Sequence, residues 1–557
     1  MDTQIKSPIE MLAHWVETRG DEVYLRQPID GQCKDFSWRQ VQAQVQQLAG
    51  ALRHLGLVPG DKVALLSKNC AEWFICDLAL MHGGYISVPI YPTANAETIS
   101  YVLEHSGAKA ILVGKLDHWA EQEAAIGGDI LRLALPYDTM PAQYQWQQLL
   151  NLGEPLIEAP LPTAEQTMTL IYTSGSTGKP KGAIQTFGSY GWTCQAVVRD
   201  LQTNTADRLL SYLPLAHITE RVAIEGSSFY SASQVYFVES LDSFVTDIKR
   251  AHPTVFFSVP RLWSLFQQNI IDKIGMDKLN FLLKLPVIKS LIKRKIHKGL
   301  GLQDARLLGS GSAPIPPSLI HWYHSVGLDI CEAWGMTENS AYSIINYPFD
   351  AAKIGTVGRP IEGSQVRRGA DGELLVKSPG LMSAYYLQPE ATAAAFDADG
   401  FFHTGDLCEI DADGCVSITG RVKDNFKTAK GKYVAPVPIE RKLAQDAHVE
   451  LICVIGSGLP HPVALVQLSE GATLQPREEV RASLKATLDS INPHLESHET
   501  VDAIIVVGEP WSIENDVLTP TLKIKRHVLE QRFSARVEGI RGGKVVWEDE
   551  ISPSQTA

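Results

Sequence analysis

The sequence predicts an α/β protein of several domains: a large N-terminal domain of two α/β subdomains with parallel-rich sheets, a small antiparallel β subdomain, and a separate α+β C-terminal domain. Three observations carry this. The 557 residues are too many for one core and imply about three to four domains or subdomains. Short apolar runs alternate with helical patterns along the N-terminal half, as in parallel sheets covered by helices. From Gly355 the pattern turns to short strands joined by Asp371-Gly372 and Asp413-Gly414, dipeptides that favour antiparallel hairpins. The expected boundaries are 1–420 for the N-terminal domain (β subdomain 355–420), 421–424 for a linker, and 425–557 for the C-terminal domain.

The first helix is expected over Pro8 to Thr18, with Ser7 as N-cap, Pro8 at the first helical position and Glu10 completing a capping box. Ser37 and Gln40 form a second box, opening a helix with Val41, Val45, Leu48, Leu52 and Leu55 at near-helical period and Gly56 as its stop. Strand Val63 to Leu66, helix Ala71 to His82, strand Ile86 to Tyr91, a helix near Ala96 to His105 and strand Ala108 to Val113 follow. The alternation resumes at Leu209 to Leu213, Gln234 to Val238 and Thr254 to Val259.

Composition is that of an ordinary globular protein, 45% hydrophobic and 20% charged. A net charge of −13 argues against nucleic acid as a partner, since no general basic surface exists to displace counterions. The eight cysteines lack C-x-x-C spacing, which disfavours a zinc site or a disulfide framework and fits a reducing cytoplasm. Neither a signal peptide nor a membrane-spanning apolar run is expected.

Tyr172-Thr173-Ser174-Gly175-Ser176-Thr177-Gly178-Lys179-Pro180-Lys181-Gly182 is the most informative segment. Glycines admit an anion close to backbone N–H groups, and hydroxyls and lysines complete a polyphosphate cradle. It is not a Walker loop, because Gly175 and Gly178 are three apart and Pro180 stands where a Ser or Thr should bind magnesium. The apolar run Met168 to Tyr172 and the run from Lys181 to Ile184 place the cradle between two strands. A bland Gly/Ser turn is the alternative.

Further segments follow in order. Gly309-Ser310-Gly311-Ser312-Ala313-Pro314 departs from the Rossmann fingerprint, because Pro314 takes the third glycine's place. Next come Glu332-Ala333-Trp334-Gly335-Met336-Thr337-Glu338, His403-Thr404-Gly405-Asp406-Leu407 with its carboxylate at a turn, Gly420-Arg421-Val422-Lys423-Asp424, and Thr521-Leu522-Lys523-Ile524-Lys525-Arg526. Taken singly, these read as turns, a core aromatic, solvated charges and a basic surface strand.

Taken in order, they resemble the adenylate-forming (AMP-binding) superfamily of acyl-CoA synthetases, luciferases and peptide-synthetase adenylation domains, over nearly the whole chain. The resemblance implies that Thr173, Ser174, Gly175, Ser176, Thr177, Gly178 and Lys181 hold the ATP phosphates, and that Gly311, Ser312, Ala313, Trp334 and Gly335 line the adenine site. It implies that Thr337 contacts the α-phosphate and that Glu338 is the Mg²⁺ ligand. Asp406 and Arg421 match ribose-binding positions, and Lys423 matches the hinge on which a mobile C-terminal domain turns. Lys523 matches the lysine that bridges carboxylate and α-phosphate in adenylation, with Lys525 as the register alternative. Gly431, in Thr428 to Pro436, and His217, in Leu213 to His217, match the coenzyme A pantetheine tunnel and its gate.

The wording of Pro214 to Arg221, Val88 to Thr93 and Leu518 to Lys523 is similar to bacterial long-chain fatty acyl-CoA synthetases. An acidic F-D-x-S-type segment, which amino-acid-activating relatives carry, is not seen near His217. The resemblance implies activation of a medium- to long-chain fatty acid by ATP, then transfer to CoA, in a monomer or homodimer. A fatty acyl-AMP ligase or an acyl-acyl-carrier-protein synthetase is the alternative acceptor chemistry. A luciferase-like use of the adenylate and a non-enzymatic nucleotide-binding scaffold are the other readings, the last disfavoured because the key polar residues are all present.

Residues 273–298 hold eight Lys or Arg and one acid, Asp277, interleaved with apolar residues. Such a segment suits either a peripheral site on the inner face of the cell membrane or a solvated helical hairpin broken at Pro286.

Overall fold

The computed structural model describes residues 5–137, 140–173, 179–513, 515–519, 523–537, 540 and 544–551. The chain forms two compact units, one of residues 1–315, 319–365 and 376–402, the other of 316–318, 366–375 and 403–557.

In the first unit, helix Pro8–Arg19 starts at the Ser7–Glu10 capping box and helix Trp38–His54 at the Ser37–Gln40 box. Val41, Val45, Leu48 and Leu52 are buried, and the chain leaves the second helix through Gly56 at φ 88. Strands Lys62–Leu66, Ile86–Ile90, Ala110–Val113, Leu131–Ala134 and Thr167–Thr173 run parallel in one seven-stranded sheet. Strand Lys181–Thr186 closes its edge antiparallel. Helix Ala71–Gly83 packs between sheet and outer helices and is buried almost all round.

The predicted strands near 209 and 234 join a sheet different from the one that takes the strand near 254. Arg208–Ser211 and Gln234–Phe237 pair parallel beside an N-terminal hairpin, Val23–Ile29 with Gln32–Ser37, that the sequence pattern hides. Gln27 is fully buried in that hairpin and Pro28 follows it, which breaks the apolar alternation expected of a strand.

Val255–Ser258, Leu307–Ser310 and Ile330–Trp334 run parallel in a third sheet, extended by the antiparallel strands Ile344–Ile345 and Arg359–Pro360. Ser258, Ser310 and Glu332 stand side by side in register. The Gly311 and Gly335 loops therefore leave neighbouring carboxyl ends, where open α/β sheets bind ligands.

The second unit contains strands Phe402–Ile410 and Val416–Arg421, antiparallel neighbours in a four-stranded sheet. A short hairpin, Phe426–Lys427 with Tyr433–Val434, precedes a sheet of Val449–Ile455, Val463–Leu468, Ala503–Val506 and Lys544–Trp547. Helix Arg477–Ile491 buries Val480, Leu484, Leu488 and Ile491 in that unit's core. Among the described residues, no helix is long and apolar enough to cross a membrane.

Candidate active site

The loop after strand Thr167–Thr173 returns in strand Lys181–Thr186, with Thr173 opposite Lys181. Ser174, Gly175, Ser176, Thr177 and Gly178 lie outside the described residues. The returning strand takes the segment 383–386 on its other edge: Ile184 N–H donates to Ala384 O (2.9 Å) and Tyr386 N–H to Gly182 O (2.7 Å). That pairing puts the Tyr385 ring under Lys181, with Nζ 4.8 Å from the ring centroid. The Tyr385 hydroxyl donates to Glu338 Oε1 at 2.8 Å. Burial, and then the Glu338 charge, hold the Tyr385 phenol well above its ordinary pKa, so it stays a donor.

Thr337 is fixed from the same strand, and Glu338 from the segment paired with it. Gln185 Nε2 donates to Thr337 O (2.7 Å), while Gln185 Oε1 accepts from Ser340 (3.1 Å) and Ser189 (3.0 Å). Met382 N–H donates to Glu338 O at 2.7 Å. Lys181, Thr337 and Glu338 are thus assembled by Tyr385 and Gln185, which sequence reasoning missed. Gln185, between Ile184 and Thr186 in a strand that also begins with a lysine, had no distinguishing signal. Tyr385, in an aromatic pair among small residues, had none.

The turn after Trp334 leaves no room for change. A Cβ on Gly335 would sit 2.1 Å from Ala341 C and O. Ser340 (φ 55) and Ala341 (φ 64) are left-handed, and Asn339 Oδ1 accepts from Met336 N–H at 2.7 Å. Trp334 is buried opposite Ile344, and Glu338 is only 7% exposed. Among the described residues, no group of three or more His, Cys, Asp or Glu could cage a metal. A metal at Glu338 would therefore rest on one carboxylate plus phosphate and water oxygens, the arrangement magnesium favours, and Glu338 fits it.

Beside this turn lies a partly open, largely apolar pocket. Val197, Leu201, Val222, Ala223 and Phe257 make an apolar wall, and Gly311, Ser312, Ala333 and Gly335 form the other. Ala313, the next residue of the predicted adenine loop, is exposed. A π-helical turn over Arg221–Gly226 brings Val222 and Ala223 to the cavity. Arg221 pins that turn, fully buried between Asp77 and Glu225, with Thr169 Oγ1 accepting from its Nη1 at 2.8 Å. His217 caps the preceding short helix, its Nδ1 accepting from Thr219 N–H at 3.2 Å, and Thr219 Oγ1 is 3.4 Å from Ser312 Oγ. Glu220 accepts from Ser211 Oγ (2.8 Å), Tyr212 N–H (2.9 Å) and Asn69 Nδ2 (3.2 Å), and burial pushes its carboxyl up to about 8.

The other predicted residues belong to the second unit. Asp406, expected at a turn, instead lies within strand Phe402–Ile410 directly opposite Arg421, with Arg421 Nε donating to Asp406 Oδ1 at 2.8 Å. The strand tolerates the preceding glycine because Gly405 (φ 72) donates its N–H to Glu373 Oε1 at 2.7 Å. Lys423 is exposed in the turn that follows, where Val422 N–H donates to Gly405 O (2.8 Å). Gly431 (φ 73) tips the short hairpin, and open space surrounds its missing Cβ.

Lys523 is exposed, and its backbone O accepts from Thr519 N–H at 2.8 Å. Thr521 and Leu522 lie outside the described residues. Lys525 is ion-paired with Asp516. Arg526, half-buried and paired with Glu440 (2.6 Å), anchors the segment.

Large mixed α/β sheets, an antiparallel sheet and a small C-terminal portion make up the fold of an adenylate-forming enzyme. The chain matches the AMP-binding enzyme family over residues 12–386 and the AMP-binding enzyme C-terminal domain over 423–542. It is 30% identical to the long-chain-fatty-acid–CoA ligase FadD15 of Mycobacterium bovis, over 93% of this chain and 94% of that protein. Long-chain-fatty-acid–CoA ligase 5 of Rattus norvegicus is 28% identical, over 91% of this chain and 84% of that protein. In structure it is similar to the anthranilate CoA ligase AuaEII in complex with anthranoyl-AMP, with TM-score 0.80 and 23% identity, over 95% of this chain and 98% of that one. It is also similar to the A domain of carboxylic acid reductase from Segniliparus rugosus, with TM-score 0.79 and 22% identity, over 96% and 94% of the two chains. The chain belongs to the AMP-binding enzyme family, on its acyl-CoA ligase branch.

Proposed function

We propose that this enzyme converts a long-chain fatty acid, ATP and CoA to acyl-CoA, AMP and pyrophosphate in two steps in the cytoplasm. A carboxylate oxygen attacks the α-phosphorus, the new O–P bond replaces the bond to the β-phosphate, and pyrophosphate leaves. The CoA sulfur then attacks the acyl carbon, AMP leaves with the mixed-anhydride oxygen, and the thiol proton is released.

In this reading the loop 173–178 and Lys181 hold the phosphates, and Thr337 orients the α-phosphate. Gly311, Ser312, Ala313, Trp334 and Gly335 take the adenine. Glu338 would hold Mg²⁺, which would supply charge neutralisation at the phosphates. Asp406 and Arg421 take the ribose. Lys523 stabilises charge in the first step, while His217 and Gly431 border the thiol's path in the second, the C-terminal segment turning at Lys423.

The observation that carries the reading is the apolar cavity bounded by Gly311, Ser312 and Gly335, which suits an acyl chain beside a nucleotide. The curated relatives named as long-chain-fatty-acid–CoA ligases support the acid and the acceptor. The test is product analysis across carboxylic acids from acetate to long-chain acids. Long-chain acids should give acyl-AMP and pyrophosphate without any thiol, and acyl-CoA once CoA is added. Release of ADP, or preference for acetate, overturns it. Transfer to an acyl carrier protein in place of CoA replaces the second step alone.

A further inference from the structure

Strand Val255–Ser258, which walls the cavity through Phe257 and Ser258, leads directly into helices Pro260–Ile274, Met276–Leu283 and Pro286–Leu300. Gly275 (φ 84) separates the first two, and Pro286 opens the third at a position where its missing N–H is not needed. Trp263, Phe266, Leu279 and Ile296 bury the inner sides of these helices.

The outer side is unusual. Phe281 is 62% exposed and Leu291 63%, and Met276 and Ile288 are exposed with them. On the third helix Ile288, Leu291, Lys295 and Lys298 are all exposed at spacings that put them on one stripe. Lys278, Lys284, Lys289 and Arg294 are exposed around the apolar residues. Within a chain of net charge −13, residues 273–298 carry eight Lys or Arg and one acid. Like charges this dense repel: burial and then Lys289 lower the Lys293 pKa. An anionic surface relieves that repulsion.

We propose that this face, Met276, Phe281, Ile288 and Leu291 with the lysines around them, docks on an anionic lipid bilayer. The lysines meet the headgroups, and the four apolar side chains enter the acyl boundary. The apolar residues stand on two separate helices rather than lining a groove, which suits a bilayer better than a protein partner. Adsorption stands apart from the ligase reading. Only its purpose, collecting a long-chain acid dissolved in the membrane next to the cavity wall, rests on that reading.

The test is sedimentation of the full-length protein with vesicles of phosphatidylglycerol and phosphatidylcholine, against vesicles of phosphatidylcholine alone. Binding should require phosphatidylglycerol and fall as salt is raised. Neutralising Lys284, Lys289 and Lys295 to Gln together should lower partitioning on the order of a hundredfold, each charge contributing about fivefold. The double variant Phe281→Asp, Leu291→Asp should also be released. Both variants should keep wild-type pyrophosphate exchange with a short, water-soluble acid, which shows that they fold. The proposal is overturned if wild type ignores anionic vesicles, if it binds pure phosphatidylcholine equally, or if folded variants bind as wild type does. It is also overturned if the substitutions abolish capture of an acidic acyl carrier protein while vesicle binding persists.

Discussion

The Tyr385 hydroxyl donates to Glu338 Oε1 at 2.8 Å, so the carboxylate proposed to hold Mg²⁺ is itself held by a side chain whose ring also carries Lys181. Removing that hydroxyl leaves a buried carboxylate short of one donor, and a hydrogen bond to a charged group contributes about 1.5–3 kcal/mol. Tyr385→Phe should therefore slow acyl-adenylate formation by about one to two orders of magnitude, chiefly through weaker Mg·ATP binding. Pyrophosphate exchange as a function of Mg·ATP measures it. An unchanged KM for Mg·ATP in a folded variant would separate Tyr385 from the site.

Gly335→Ala tests the turn that carries Thr337 and Glu338. Its new Cβ would meet the Ala341 backbone at 2.1 Å, and Ala341 N–H is already bonded to Met336 O at 2.9 Å. Overpacking of this kind costs about 1–3 kcal/mol. The variant should lose stability in urea by that amount and lose adenylation more severely. Full activity at wild-type stability would show that the turn yields.

Much of this was legible in the sequence where local chemistry decides. Ser7 with Glu10 and Ser37 with Gln40 close boxes where their spacing says they should, and the Asp371-Gly372 and Asp413-Gly414 turns place glycines at φ 89 and 79. What the sequence hid depends on tertiary context. Strand Val23–Ile29 carries a buried Gln27 and Pro28, so its period fails, although Asp30 and Gly31 mark its hairpin with positive φ. Asp406 reads as a turn former because it follows Gly405, but cross-strand pairing with Arg421 keeps it in a strand. Tyr385 reaches Glu338 only because segment 383–386 pairs with strand Lys181–Thr186.

Glu220 predicts a pH dependence. Its carboxyl ionises near 4.5 when solvated and at about 8 in the fold, because burial disfavours the charge. Between those values the native state keeps a proton that the unfolded chain has released, so this group's contribution to stability falls as pH rises through the window. Glu220→Gln keeps an acceptor for Ser211, Tyr212 and Asn69 and cannot ionise. The variant's Tm relative to wild type should climb from about pH 5 to about pH 8 and then level. A difference that stays flat across that range would mean that Glu220 ionises normally.

Lys523→Ala should cut adenylation by roughly 10²–10³, the usual effect of losing one preorganised charged donor, and leave thiolysis of supplied acyl-AMP nearly intact. Lys525→Ala should do much less, because the family's Lys-x-x-Arg context registers on Lys523 and Lys525 is engaged with Asp516. Separate assays of the two half-reactions decide it. The reverse pattern would move the role to Lys525.

The two half-reactions should also part at Lys423. That residue is exposed in the turn between strand Val416–Arg421 and the hairpin carrying Gly431, with Val422 N–H bonded to Gly405 O and Asp424 N–H to Arg421 O. If the C-terminal segment presents Lys523 for the first step and Gly431 for the second, dihedral angles in this turn must change between them. Proline at 423 holds φ near about −65° and restricts Val422 as well, so Lys423→Pro should trap one arrangement. Pyrophosphate exchange should stay near normal and thioester formation should nearly vanish. Were Lys423 only a surface charge, both activities would survive together or be lost together through misfolding. Circular dichroism distinguishes misfolding, and a folded Lys423→Pro enzyme with full thioester turnover would rule out alternation about this residue.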